Sequence, residues 1–128
     1  MADPKSSVSV LIVDDQAPFR IAAAAVVNAT PGFRVVGEAA SGEEAVETVA
    51  RLHPDLVLMD INMEQMNGID ATREIVQAQP GTVVMLLSTY QRRDLPAEAL
   101  EVGAAAYVDK QDFGPDVLMK VWEGRDAP

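Results

Sequence analysis

The residues of this chain able to do chemistry stand just after short apolar runs: Asp14 and Asp15, then Asp60 and Asn62, then Ser88 and Thr89, then Lys110. Each has an ordinary structural use when taken singly. An aspartate after a strand caps a helix or closes a turn, a serine satisfies a strand end, and a lysine is a solvated charge. Their shared position is what calls for another explanation. Asp60 abuts Leu56-Val57-Leu58-Met59, so its charge must be paired or placed at an opening. Clustered carboxylates raise one another's pKa unless a cation lies among them. A hard, oxygen-seeking divalent ion such as magnesium meets that need, taking one or two carboxylates and keeping several waters. Phosphoryl transfer to a carboxylate demands charge neutralisation and in-line positioning more than covalent work by the protein. An ion among the carboxylates of Asp14, Asp15 and Asp60, the Lys110 ammonium, a hydroxyl donor at Ser88 or Thr89 and loop N–H groups would supply these. Asp60 is the expected nucleophile, because it lies between the acidic pair and the Ser88/Lys110 side.

The elements that must position these groups alternate strictly along the chain. Val8–Val13 is short and β-branched, as a buried strand should be. Ala17–Ala29 reads as a helix with Pro18 tolerated in its first turn, stopped at Thr30-Pro31-Gly32. Arg34–Gly37 reads as a second strand. Ser41 caps a helix whose apolar positions Ala45, Val46, Val49, Ala50 and Leu52 fall at helical spacing, and His53-Pro54 ends it. Leu56–Met59 reads as a strand buried on both faces. Further along come a helix over Ile69–Gln79, a strand over Val83–Leu87, a helix near Ala97–Val102, a strand over Ala105–Val108 and a helix over Pro115–Trp122. Strand and helix alternating five times predict an α/β fold, a doubly wound parallel sheet of five strands covered by five helices through right-handed crossovers. Ligands of such sheets bind at the carboxyl ends of the strands, where the strand order switches. The groups singled out above stand at that edge.

Composition narrows the function classes. The 128 residues predict a single domain over 1–128, with no linker, repeat or low-complexity tract. A hydrophobic content of 48% supports a core. The net charge of −10 disfavours direct binding to nucleic acid or to an anionic membrane. There are no cysteines, which removes disulfides and thiolate metal sites. The apolar run Val10–Val13 is too short for a signal peptide or a membrane span, so a soluble, cytoplasmic protein is expected.

Taken together, Asp14-Asp15, Asp60, Ser88 and Lys110 resemble the acidic pair, phosphoacceptor, switch hydroxyl and lysine of response-regulator receiver domains in two-component systems. The resemblance runs from Val8 to about Val121. Gly68 matches the glycine after the phosphorylated strand, and Gly103 and Tyr107 match the turn and the aromatic switch position. The segments Pro31–Ala39 and Ser41–Ala45 are similar to the NarL/FixJ (LuxR-type) class. The resemblance implies the flavodoxin-like strand order 2-1-3-4-5. It also implies phosphorylation of Asp60 by a sensor histidine kinase that docks near Gln16–Arg20, without turnover of a separate substrate. Asp15 and Asp60 would ligate Mg2+ by side chain, Asn62 by its carbonyl and Asp14 mostly through water. Lys110 would pair with Asp60 and then with the phosphoryl oxygens. Ser88 and Tyr107 would switch the surface, with homodimerisation as one consequence. Class members generally carry a C-terminal helix-turn-helix domain, so the resemblance implies either a DNA-binding output beyond Pro128 or a stand-alone receiver acting through protein contacts. Two positions depart from the family: Glu64 and Gln111 stand where many receivers have proline.

Two other classes fit the same residues less well. An aspartate-nucleophile phosphohydrolase of the haloacid-dehalogenase type needs a second acid two residues after the nucleophile, where this chain has Asn62. An FMN-binding flavodoxin needs a phosphate loop after the first strand, where Asp14-Asp15-Gln16 would repel the phosphate. No P-loop or GxGxxG fingerprint occurs. His53, the single histidine, precedes Pro54 at a helix end and reads as a surface residue rather than a phosphocarrier.

Overall fold

A computed structural model describes residues 7–63, 66–89, 97 and 101–125. Its sheet is formed by β1 (Val8–Val13), β2 (Phe33–Ala39), β3 (Leu56–Asp60), β4 (Val83–Ser88) and β5 (Ala106–Asp109). All pairings are parallel and the spatial order is β2-β1-β3-β4-β5, as the resemblance implies. Among the described residues there are four α-helices: α1 (Ala17–Ala29), α2 (Gly42–Leu52), α3 (Gly68–Ala78) and α4 (Pro115–Gly124). The helix expected near Ala97–Val102 falls largely outside the described residues, as does Glu64.

The pleat sorts side chains into two layers. Leu11, Val13, Val57, Met59, Val84 and Leu86 face α2 and α3, while Val10, Ile12, Leu56, Leu58, Met85 and Leu87 face α1 and α4. Every residue of β3 is buried, as its unbroken apolar run requires in a sheet covered on both faces. Burial of each such side chain contributes about 1.5–3 kcal/mol against chain entropy.

Helix ends follow local chemistry. Ser41 caps α2 by accepting from the Glu44 N–H, and Asn67 caps α3 by accepting from the Asp70 N–H. The second cap places the start of α3 at Gly68, one residue earlier than the apolar spacing predicts. β2 is longer than expected. A register shift between Val10 and Leu11 lets the strand pass over Val36 and continue pairing through Ala39. That extension brings Glu38 beside the β1 edge.

Candidate functional site

The carboxyl ends of β1, β3, β4 and β5 bring the polar residues together. Continuing the alternation past each strand, Asp14 and Asp60 follow the face that carries Ile12 and Leu58, towards α1 and α4. Ser88 follows the opposite face, two residues beyond Leu86. Asp14 and Ser88 are buried, and Asp60 is only 2% exposed, whereas Asp15 is exposed. Oxygens of Asp14, Asp15 and Asp60 lie within 4.8 Å of one another.

Lys110 stands on a short 3-10 turn, Lys110–Asp112, that begins where β5 ends. Asp109 closes this turn by accepting from the Gln111 N–H. The Lys110 Nζ donates to Asp14 Oδ2 at 2.7 Å and lies 3.3 Å from Asp60 Oδ1. The expected pairing of Lys110 with Asp60 is therefore present, but its shorter partner is Asp14. The reason is that Asp14 and Asp60 end adjacent strands on one face, so a single ammonium reaches both. The Asn62 N–H donates to Asp60 Oδ1 at 3.3 Å. Both oxygens of Asp14 are engaged, since Oδ1 accepts from the Gln16 N–H at 2.8 Å.

The Asp60 carboxyl is pushed up to about 6: burial and then the Asp14 charge raise it, while Lys110 and the Asn62 N–H hold it back. Burial pulls Lys110 down, yet the hydrogen bond to Asp14 and the two carboxylate charges outweigh it, so it stands above its ordinary value. The donor set is all oxygen, crowded and net negative, and its buried members strain against their own charge. A hard divalent cation fits such a set. Asp15 and Asp60 have carboxylate capacity for it, and Asp14, engaged at both oxygens, is suited to contact through water.

Gly68 has a steric cause here. A Cβ on it would lie 2.0 Å from the Asp60 carbonyl oxygen, so α3 approaches the end of β3 only through glycine. The Gly68 N–H in turn donates to Ile61 O at 3.0 Å. Ser88 pairs in register with Asp109, and Tyr107, opposite Leu86, packs on the α2/α3 layer. Thr89 follows Ser88 and is exposed. His53 is exposed at the end of α2 in the left-handed region (φ 49°), ahead of β3, whereas the cluster lies at the carboxyl end of that strand.

Two further residues touch the cluster. The Phe19 ring centroid lies 4.6 Å from the Lys110 Nζ, and Arg20 donates to Asp14 O at 2.6 Å while pairing with Glu38 at 3.2 Å. Their positions four and five residues after Asp15, in the first turn of the helix, are the signal that points at the site.

The comparisons with known proteins agree on the family. Residues 10–123 match the response regulator receiver domain. The chain belongs to that family. It is 36% identical over 107 residues to the transcriptional regulatory protein DegU of Brevibacillus brevis, covering 84% of this chain and 45% of that protein. It is 46% identical over 99 residues to protein-glutamate methylesterase/protein-glutamine glutaminase 4 of Geobacter metallireducens, covering 76% of this chain and 28% of that protein. The receiver domain thus spans less than half the length of these relatives. The signal receiver domain of the putative response regulator NarL from Mycobacterium tuberculosis superposes with a TM-score of 0.86 at 26% identity, over 96% of this chain and 99% of that one. No helix among the described residues is long and apolar enough to cross a membrane.

Proposed function

We propose that this receiver domain accepts a phosphoryl group on Asp60 from a phosphohistidine of a sensor histidine kinase and controls an output by the change in surface that follows. The observation that carries the reading is the position of Asp60, buried at the carboxyl edge of the sheet and sharing the Lys110 ammonium with Asp14. An Asp60 oxygen attacks phosphorus, the P–N bond to the donor imidazole breaks, and the imidazole nitrogen retains the electron pair and takes a proton from solvent. A carboxyl lifted to about 6 is mostly ionised at neutral pH, so the nucleophile is available without a general base. Lys110 holds the attacking carboxylate before transfer and the phosphoryl oxygens after it. The Asn62 N–H and the hydroxyls of Ser88 and Thr89 are the remaining donors for those oxygens. Asp15 and Asp60 by side chain, Asn62 by its carbonyl and Asp14 through water would hold Mg2+, which when bound neutralises charge on the transferring group.

The relatives differ in what their receivers govern. DegU is a transcriptional regulator and the Geobacter protein a methylesterase. The Pro31–Ala45 segment, similar to the NarL/FixJ class, together with DegU, supports transcription control through a DNA-binding domain as the output. Direct contact of the receiver with another protein or a second copy is the alternative. The test is intact mass after incubation with acetyl phosphate and magnesium: one added phosphoryl group on the parent and none on Asp60→Asn. Labelling that persists in Asp60→Asn would move the acceptor to another residue.

A further inference from the structure

We propose that Phe19 is a positioning residue for Lys110, its ring face steering the ammonium between the carboxylates of Asp14 and Asp60. This rests on the phosphoacceptor reading above and adds a residue outside the polar cluster. A lysine ammonium is a compact charge on a flexible four-carbon stem. Two of its sides here face oxygens, Asp14 Oδ2 at 2.7 Å and Asp60 Oδ1 at 3.3 Å. The Phe19 ring, with its centroid 4.6 Å from Nζ, lies within the range where the negative face of an aromatic attracts a cation. The Lys110 side chain is only 15% exposed, so water screens this attraction poorly.

Phe19 is well placed for the task. It packs against the α1/α4 layer, which fixes the ring, and its N–H donates to Gln16 O at 3.1 Å, tying it to the loop that bears Asp14 and Asp15. The next residue, Arg20, holds the Asp14 carbonyl. One helical turn thus carries both a grip on Asp14 and a surface for the lysine bound to it. A π face suits a group that must move. When Lys110 turns from Asp14 towards a phosphoryl group on Asp60, no directional hydrogen bond to Phe19 has to break. A leucine would fill the space without attracting the charge.

The test compares initial rates of Asp60 labelling by acetyl phosphate with magnesium on the full chain. Replacing Phe19 by 3,4,5-trifluorophenylalanine keeps the shape and weakens the negative face, so it separates attraction from packing even if Phe19→Leu folds poorly. The fluorinated chain should label roughly three- to tenfold more slowly, and Phe19→Trp should label at close to the parent rate. Exchange of the Lys110 ammonium protons with water, followed by 15N NMR without phosphodonor, should quicken in the fluorinated chain. Parent-like labelling by the fluorinated chain overturns the proposal, as does slowed labelling with unchanged ammonium exchange. A parent that takes no label on Asp60 defeats the phosphoacceptor reading itself, and this inference with it.

Discussion

Lys110 binds Asp14 more closely than it binds Asp60, at 2.7 Å against 3.3 Å, although Asp60 is the proposed nucleophile. The ammonium therefore serves as the shared counter-charge of two buried carboxylates. Lys110→Met should leave those carboxylates facing each other with no cation, a loss of roughly 3–5 kcal/mol. It should also push Asp60 above its value of about 6, because Lys110 lowers it more than the Asn62 N–H does. Urea denaturation in chelator, repeated with magnesium, measures this. The variant should lose stability in chelator and recover much of it with the ion. Equal stability of parent and variant in chelator would mean that the pair contributes nothing.

The raised Asp60 carboxyl has a defined consequence for stability against pH. Its folded value of about 6 exceeds the ordinary 3.8, so between them the folded state holds more protons than the unfolded one. In chelator, this group's contribution should decline as pH rises through that window and stay low above it, by about 3 kcal/mol at most. Asp60→Asn removes the titration. The difference in unfolding free energy between variant and parent should be small near pH 4 and grow in favour of the variant by neutral pH. A difference that does not vary with pH would show that Asp60 titrates normally.

Much of this arrangement is legible in the sequence because its causes are local. β1 and β3 are buried on both faces, which leaves unbroken apolar runs ending in Asp14 and Asp60. Once a parallel sheet is inferred, everything after those runs falls at one edge. The Lys110–Asp14 contact is not legible, since it joins residues 96 apart and depends on which face each strand end presents. The contact of Phe19 with Lys110 is hidden in the same way, since it joins α1 to the turn that follows β5. The full length of β2 is hidden for a similar reason. Its residues are only partly buried, so its pattern is weak, and its length is set by a register shift against β1.

Asp15 differs from its neighbour Asp14 in being exposed, with its carboxylate near both buried ones. Asp15→Ala should weaken magnesium binding at least tenfold, about 1.4 kcal/mol, and slow labelling of Asp60 in parallel. Calorimetric titration with magnesium gives the affinity. Unchanged binding would reduce Asp15 to a turn residue.

Gly68 sets how closely α3 approaches β3. Gly68→Ala would place a Cβ 2.0 Å from the Asp60 carbonyl oxygen, an overlap with backbone that no rotamer relieves. The end of β3 and the start of α3 must separate, at a cost of about 1–3 kcal/mol or more. Because the displaced atoms belong to Asp60, labelling should fall as well, even at temperatures where the variant is folded. Thermal melts and labelling rates taken together check this, and a variant normal in both would show that the helix shifts freely.

Ser88 and Tyr107 carry the last prediction. Tyr107 pairs in register with Leu86, and Ser88 lies two residues beyond Leu86, so both belong to the sheet face that packs on α2 and α3. A phosphoryl group on Asp60 presents new acceptor oxygens next to the end of β4, and the Ser88 hydroxyl can turn to donate to one of them. That turn changes the space along this face of β4, and the Tyr107 ring on β5 is the large side chain positioned to respond. One or two charge-assisted hydrogen bonds suffice to bias an element with two arrangements separated by a few kcal/mol. Phosphorylation, or beryllofluoride in its place, should therefore shift the NMR signals of residues from β4 to β5, including Tyr107. Ser88→Ala should still accept the phosphoryl group but lose most of the shifts at Tyr107. If Tyr107 responds equally without the hydroxyl, the signal leaves Asp60 by another path, and Lys110, which joins the site directly to the end of β5, becomes the next residue to test.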